Sequence, residues 1–324
     1  MKRTILIMCS VTLTYTLGPA VAAESAYPSR PIRIVDPFPP GGPSDIVGRS
    51  LSQKLTEALG QTVVVDNRGG ASGNVGCEIV AKAAPDGHTL LLGPSGALTI
   101  QPTLNPKLPY DPQRDFETVS QLTSGPQVIA VNPAVPAKSV QDLIALAKAK
   151  PGQLNYASGG AGTANHLAAE VFKLAAGVNI VHIPYKGTGP ALTSVLSGES
   201  QMIISSLLPA LPHLKSGKMR ALAVTSTSRS SAVPDVPTAA ESGLPKFETS
   251  SWHGILVPAK TPRAIITRLH GELVKVLNLP DVRERLTAQG LNVVASTPQE
   301  FAAYIKSETV KYARVIKQVG IKAE

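Results

Sequence analysis

Two short stretches set glycines and hydroxyl side chains between a β-type run and a helical pattern. Ile32-Arg33-Ile34-Val35-Asp36 leads into Phe38-Pro39-Pro40-Gly41-Gly42-Pro43-Ser44-Asp45, and Leu154-Asn155-Tyr156-Ala157 leads into Ser158-Gly159-Gly160-Ala161-Gly162-Thr163. Each turn is expected to hold an anion. The first turn of a helix has backbone N–H groups without intrahelical acceptors, the helix dipole is positive there, and glycine lets a ligand approach closely. Two such turns, far apart in the chain, point to two lobes gripping one ligand.

Other chemistries fit less well. Neither turn continues into Gly-Lys-Ser/Thr or has Gly-x-Gly-x-x-Gly spacing, which argues against a nucleotide phosphate. Ser95 sits in Gly93-Pro94-Ser95-Gly96-Ala97, but a nucleophile elbow needs glycine where Ala97 stands. His166, His182 and His253 are candidate bases for a hydrolase, the rival reading, without an ordered triad around them. The histidines show no metal-ligand spacing and Cys77 stands alone outside the N-terminal segment, so neither a metal nor a cofactor is expected. Basic residues are scattered without interleaved aromatics, which argues against nucleic acid.

The elements that must position these turns follow a strand-turn-helix rhythm. In the first part the pattern predicts strands at 32–36, 62–66 and 89–92, with helices at 45–59 and 74–83. Ile46, Val47, Leu51, Leu55 and Leu59 form the apolar face of the first helix. The stretch from Pro102 to Pro112 reads as an ordered loop. Gln127 to Val131 reads as a strand leaving the first lobe. A second series then predicts helices at 140–150, 164–176 and 190–197, and strands at 154–157, 180–183, 202–205 and 220–225. Trp252 to Val257 reads as a return crossing, followed by helices at 262–277, 280–289 and 298–319. The expected fold is α/β with two lobes, each a mostly parallel sheet flanked by helices, and a chain that crosses the hinge twice. Its boundaries are lobe 1 at 24–126 plus 253–324 and lobe 2 at 127–252.

Lys2-Arg3, an apolar run to Leu17 and the small residues Ala20 to Ala23 have the order of a secretory signal, so residues 1–23 are set apart and the mature chain is expected in the periplasm. Removing Lys2 and Arg3 leaves 29 of the 31 basic residues against 22 acidic ones, taking the formal charge from +9 to +7. Cys9 lies in that segment. Cys77 alone remains, no intrachain disulfide forms, and Cys77 reads as a small buried hydrophobe.

The segments Pro37 to Asp45, Leu59-Gly-Gln-Thr-Val-Val-Val-Asp-Asn-Arg68, Ala81-Lys-Ala-Ala-Pro-Asp-Gly87, Pro184-Tyr-Lys-Gly187 and Leu211-Pro-His-Leu-Lys-Ser-Gly217 resemble the Bug-type receptors of the tripartite tricarboxylate transporter family. The resemblance implies a type II periplasmic binding protein fold without catalysis. It also implies a small carboxylate ligand and a membrane permease as partner, or a sensor protein in its place; a monomer is the expected state. Carried over residue by residue, it points to Phe38, Pro39, Gly41, Gly42 and Asp45 in the first turn, and to Ser158, Gly159, Gly162, Thr163 and His166 in the second. Tyr185 and Lys186 end a strand at cleft level. Ser44 or Asp45 either caps the first helix or faces ligand, and His166 faces either the cleft or the sheet. Relatives often carry an Asp near the end of the 202–205 strand where this chain has Ser205-Ser206. That difference implies a simple organic acid rather than an amino acid, with Ser205 as a contact. Ser95, Ser72 and Asn74 are rim candidates, and Trp252 either closes the pocket or fills the core.

Overall fold

A computed structural model describes residues 27–321; the proposed signal segment lies outside them. Strands β1 (Ile32–Asp36), β2 (Val63–Asn67) and β3 (Thr89–Pro94) alternate with helices α1 (Pro43–Leu59) and α2 (Asn74–Ala81). A π-helical turn at 96–100 and the short α3 (Gln101–Leu104) follow, then the 16-residue β4 (Phe116–Val131). The second series comprises α4 (Val140–Ala149), β5 (Asn155–Ser158), α5 (Ala164–Ala176), β6 (Val181–Pro184), α6 (Thr188–Ser197), β7 (Met202–Ser206), α7 (Leu207–Lys215) and β8 (Arg220–Val224). Strand β9 (Ser250–Pro258) returns the chain to α8 (Arg263–Leu277), α9 (Pro280–Ala288), β10 (Asn292–Val293) and α10 (Pro298–Val319).

The strands β2, β1 and β3 run parallel, as do β6, β5 and β7. The strands that join the lobes, β4 and β9, run antiparallel to each other, and β8 and β10 also pair antiparallel with β4. Phe116 to Pro126 of β4 pair with β9, whereas Gln127 to Val131 pair with β7 and β8, so β4 belongs to both sheets. The strand order is β2-β1-β3-β9-β4-β7-β5-β6, with β8 and β10 added on β4. Two-lobed architecture and a double crossing follow from one long strand and its antiparallel return.

Local sequence explains the main supports. On α1, Val47, Leu51, Leu55 and Leu59 are buried and Gly48 sits where a Cβ would meet Leu92 at 3.0 Å, so the helix lies close on the sheet. Gly60 ends it in the left-handed region at φ 69°, donating its N–H to Thr56 O at 3.0 Å. Thr163 and Gly177 bracket α5 in the same way. Thr297 and Glu300 form a complete capping box on α10. Separate apolar clusters fill each lobe. A smaller one joins Ile100, Leu104, Tyr312 and Ile316 to Leu167 across the cleft.

The fold departs from the sequence expectations at three places. The strand expected at 127–131 begins at Phe116, since buried Ser120, Gln121 and Thr123 hide its first half from a hydrophobicity reading. The expected loop after Pro102 opens with helical turns through Leu104. Helix α7 is absent from the sequence pattern, because Pro209 and Pro212 interrupt it. Trp252 is core: it is fully buried, with Phe301 and Tyr304 edge-on at 5.5 and 5.6 Å. Cys77 is also buried and its thiol is pushed up to about 12 by desolvation, which keeps it protonated and inert.

Candidate functional site

Four strands, β1, β5, β6 and β7, each hand the chain to a helix at the same level of the cleft. The N-termini of α1, α5, α6 and α7 therefore converge. Parallel α/β sheets place ligands in this crevice beyond the strand ends. Gly42, Pro43 and Ser44 of α1, Thr163, Ala164 and Asn165 of α5, Thr188 of α6 and Ser206 before α7 all line one deep pocket of about 50 Å³. Pro94, Ser95, Gly96, Phe38, Gln127, Ser251 and His253 complete it. No charged side chain lines it among the described residues, and burial holds the His253 imidazole near a pKa of about 4, hence neutral. Positive helix ends and neutral dipoles suit an anion.

The deep pocket is unusually rich in polar atoms lacking partners. Gln127 Oε1, Asn165 Nδ2, Ser206 Oγ, Ser251 Oγ and His253 Nδ1 are buried without a hydrogen bond. An unpaired buried polar group costs roughly 1–3 kcal/mol, so five around one pocket call for hydrogen-bond partners from water or from a ligand. The wall follows from strand geometry. Gln127 and Ser206 are register partners on β4 and β7, and Ser251 and His253 are two apart on β9, hence on one face.

A larger outer cavity of about 410 Å³ lies beside it, with Phe38 lining both. Pro39, Ser72, Asn74, Gln101, Asn105, Gly159, Gly160, Tyr185 and Lys186 are among its walls. Lys186 is the one charged side chain on either cavity among the described residues, and it is exposed. The lips are shut. Gln101 Nε2 donates to Ala161 O at 2.8 Å across the cleft, and Asn74 Nδ2 donates to Gln101 Oε1 at 3.4 Å. A Cβ on Gly187 would meet Pro39 Cδ at 2.9 Å, and one on Gly96 the Ala164 N at 3.1 Å. Glycine at these contacts is what lets the two surfaces close.

The turns themselves are held from behind. Asp36 ends β1 and is fully buried. It accepts hydrogen bonds from Ser44 Oγ at 2.7 Å, Phe38 N at 3.2 Å and Asn67 Nδ2 at 3.1 Å, and desolvation raises its pKa to about 7. Asp45 Oδ2 accepts the Gly41 N–H at 3.0 Å and Oδ1 accepts Arg49 Nε at 2.9 Å. Although burial opposes it, those partners together lower the Asp45 pKa. In the second turn Ser158 Oγ lies 2.6 Å from His182 Nε2, and Thr163 Oγ1 lies 2.6 Å from Gly160 O. His166 Nδ1 accepts the Gly162 N–H at 3.1 Å, and its ring stacks on His182 at 4.1 Å. Desolvation lowers the His166 pKa, favouring the neutral acceptor.

Of the residues singled out in the sequence, Phe38, Gly42, Ser95 and Thr163 line the deep pocket, and Phe38, Pro39, Gly159, Tyr185 and Lys186 line the outer cavity, with Ser72 and Asn74. Gly41, Asp45, Ser158, Gly162 and His166 brace the turns instead. Neither Ser44 nor Asp45 caps α1, whose N-cap is Gly42 with no side-chain bond. Ser205 points its hydroxyl to Ser206 O at 3.3 Å, and Ser206 takes the wall position. Sequence reasoning does not single out Gln127, Asn165, Thr188, Ser251 or His253 as wall residues. The available signal for Gln127, Ser251 and His253 is a polar residue beside the apolar part of a crossing strand; Asn165 and Thr188 are marked by their place at a helix start.

Residues 47–321 match the family described as the tripartite tricarboxylate transporter family receptor. The chain is 39% identical over 323 residues to the protein BugT of Bordetella pertussis, covering 99% of each. Among solved structures, an R. palustris protein with adipate superimposes with a TM-score of 0.89 at 34% identity, covering 91% of this chain and 99% of that one. MatC of Rhodopseudomonas palustris with bound malate gives 0.85 at 33% identity, covering 90% and 100%. The matched family is one of transporter receptors, not of enzymes. A pocket framed by four helix N-termini between two lobes is thus carried by a chain that belongs to the tripartite tricarboxylate transporter receptor family, of the Bug type.

Proposed function

We propose that this chain captures a small organic acid between its lobes in the periplasm and presents the closed form to the permease of a tripartite tricarboxylate-type transporter. One carboxylate sits in the deep pocket, on the N-termini of α1, α5, α6 and α7, and the remainder of the ligand extends past Phe38 into the outer cavity. The observation that carries this reading is the convergence of four helix N-termini on a pocket that, among the described residues, has no charged side chain and several unpartnered polar atoms. Adipate and malate in similar structures support a carboxylate ligand. Lobe 1 comprises 24–126 and 253–324, lobe 2 comprises 127–252, and residues 1–23 are the export signal. The receptor acts as a monomer, since a clamp needs only its own two lobes. Closure is the state the membrane partner reads, because a ligand that binds the closed form better shifts the equilibrium toward it. A sensor protein is the alternative reader of the same closed form.

The test is thermal unfolding of the mature protein, refolded to strip ligand, against a panel of dicarboxylates, tricarboxylates, aromatic acids and amino acids. A saturating acid at 100 Kd adds about 2.7 kcal/mol to the folded state. Stabilisation by one class of carboxylate is the expected result. A panel without any stabilising acid would sink the reading.

A further inference from the structure

We propose that the groove between α5 and α10 is a second ligand site, which takes a monocarboxylic acid with a medium-length aliphatic tail and thereby favours the closed lobes. The site goes beyond the reading of the deep pocket and does not depend on it.

Helical periodicity makes the walls. Leu167, Val171 and Leu174 recur at three- and four-residue spacing on α5, and Val315 and Val319 do so on α10, so each helix presents an apolar stripe. Leu167 joins Tyr312 and Ile316 in the apolar cluster that bridges the lobes. Beside that cluster the two stripes border a cavity of about 510 Å³, within the range of about 300–1,000 Å³ usual for small-molecule sites. Leu174 stands 50% exposed on its border. A tail laid along the stripes covers such surface, and each methylene it withdraws from water adds to affinity.

The remaining edge is polar. Residues 246–250 lead into β9 and bring Lys246, Thr249 and Ser250 to the groove. Thr249 Oγ1 is buried without a hydrogen-bond partner, and a hydroxyl can donate to a carboxylate. Lys246 is exposed and enters no ion pair among the described residues, whereas Lys311 on α10 is already held by Glu308 at 3.1 Å. Glu248 lies on the same edge and opposes an anion, so replacing it and replacing Lys246 must act in opposite directions.

One wall belongs to each lobe. Phe301 and Ile305 pack α10 against Val35 and Leu91 of the first sheet, and Phe172 packs α5 against Tyr156 and Met202 of the second. A ligand that touches both helices therefore binds best when the lobes stand together. Gln127 and Ala164 line both the groove and the deep pocket, so the two sites share a wall. Each ligand should tighten the other by the same factor.

The experiment titrates ligand-stripped mature protein calorimetrically with butanoate, hexanoate, octanoate and decanoate. Octanol and octylamine serve as neutral and cationic counterparts of octanoate, and the octanoate titration is repeated with the deep pocket saturated by the acid that gives the largest thermal shift. Affinity is expected to rise about fourfold per added methylene until the groove is full, with octanoate ahead of octanol and octylamine and tighter still when the deep pocket is occupied. Ala175→Trp, which fills the groove, should weaken octanoate tenfold or more, and Leu174→Gln about fivefold. Lys246→Gln should weaken octanoate about threefold and leave octanol unchanged, whereas Glu248→Gln should tighten octanoate. All four positions are exposed, so the ligand-free Tm should hold. No binding by any of the four acids, affinity indifferent to chain length, or octanoate binding that survives Ala175→Trp overturns the proposal. Octanoate affinity lowered or unchanged by the acid in the deep pocket overturns it as well, while the carboxylate reading of that pocket stands.

Discussion

Gly96 offers the sharpest test of closure. It lies on the π-helical turn after β3, its φ is outside the left-handed region, and nothing in its own backbone requires glycine. What a Cβ would meet is the backbone of the opposite lobe: Ala164 N and Thr163 Cα at 3.1 Å and Gly162 O at 3.2 Å. These atoms belong to the start of α5 and cannot swing aside. Alanine requires a shift of a few tenths of an ångström, and valine drives two further methyls into the same wall. Overpacking of this kind costs about 1–3 kcal/mol, and here it falls on the closed state alone. Affinity should fall by roughly 5-fold for Gly96→Ala and up to about 150-fold for Gly96→Val, since each 1.4 kcal/mol is a factor of ten. The open, ligand-free protein should lose nothing and can gain about 0.5–1 kcal/mol from Gly96→Ala, because glycine is entropically costly in a helical segment. The assay is calorimetric titration with the acid that gives the largest thermal shift, paired with thermal unfolding without ligand. Binding by Gly96→Val within twofold of the native protein would refute closure on this contact. A ligand-free Tm lowered by several degrees would show instead that Gly96 serves the fold.

Gly271, in the middle of α8 with open space where a Cβ would stand, is the contrasting case: Gly271→Ala should add roughly 1 kcal/mol to stability, seen as a rise of about 2 °C in Tm, with no change in binding. Gln101→Ala removes the hydrogen bond to Ala161 O across the cleft and should weaken ligand binding by roughly 5-fold, about 1 kcal/mol, read by titration. Asp36 keeps its proton in the folded state up to about pH 7, whereas the unfolded chain releases it near pH 4. Its contribution to stability is complete below about pH 4 and is lost as pH rises through about 7, so Asp36→Asn should flatten the decline in urea midpoint across that window. An unaltered pH profile in that variant would show that the buried carboxyl does not titrate there.

The parts of the fold legible in the sequence are those whose signals are local. Helix α5 follows from an amphipathic run bracketed by Thr163 and Gly177, and both turns announce themselves through glycines next to a helix start. The first half of β4 is hidden because polar residues interrupt its apolar pattern and its partners lie far along the chain: Ser120 Oγ donates to Ser296 O at 2.8 Å, and Ser296 Oγ accepts the Gln121 backbone N–H at 2.9 Å. Helix α7 escapes because two prolines argue against it locally while Leu207, Leu208, Ala210 and Leu211 are buried by tertiary packing. The site divides in the same way. Its rim lies in the two turns and the Tyr185-Lys186 strand end, whereas its floor is assembled from Gln127, Ser206, Ser251 and His253. Those four become neighbours only through the pairing of β4 with β7 and β9. Spacing along the chain carries no trace of that pairing.

The most direct measurement is a crystal structure of the mature protein with the acid that stabilises it most. A ligand carboxylate is expected in the deep pocket, within hydrogen-bond distance of first-turn N–H groups of α1, α5 or α6 and of Ser206 or Asn165, with the rest of the molecule passing Phe38. A carboxylate paired instead with Lys186 in the outer cavity, with the deep pocket unused, would contradict it.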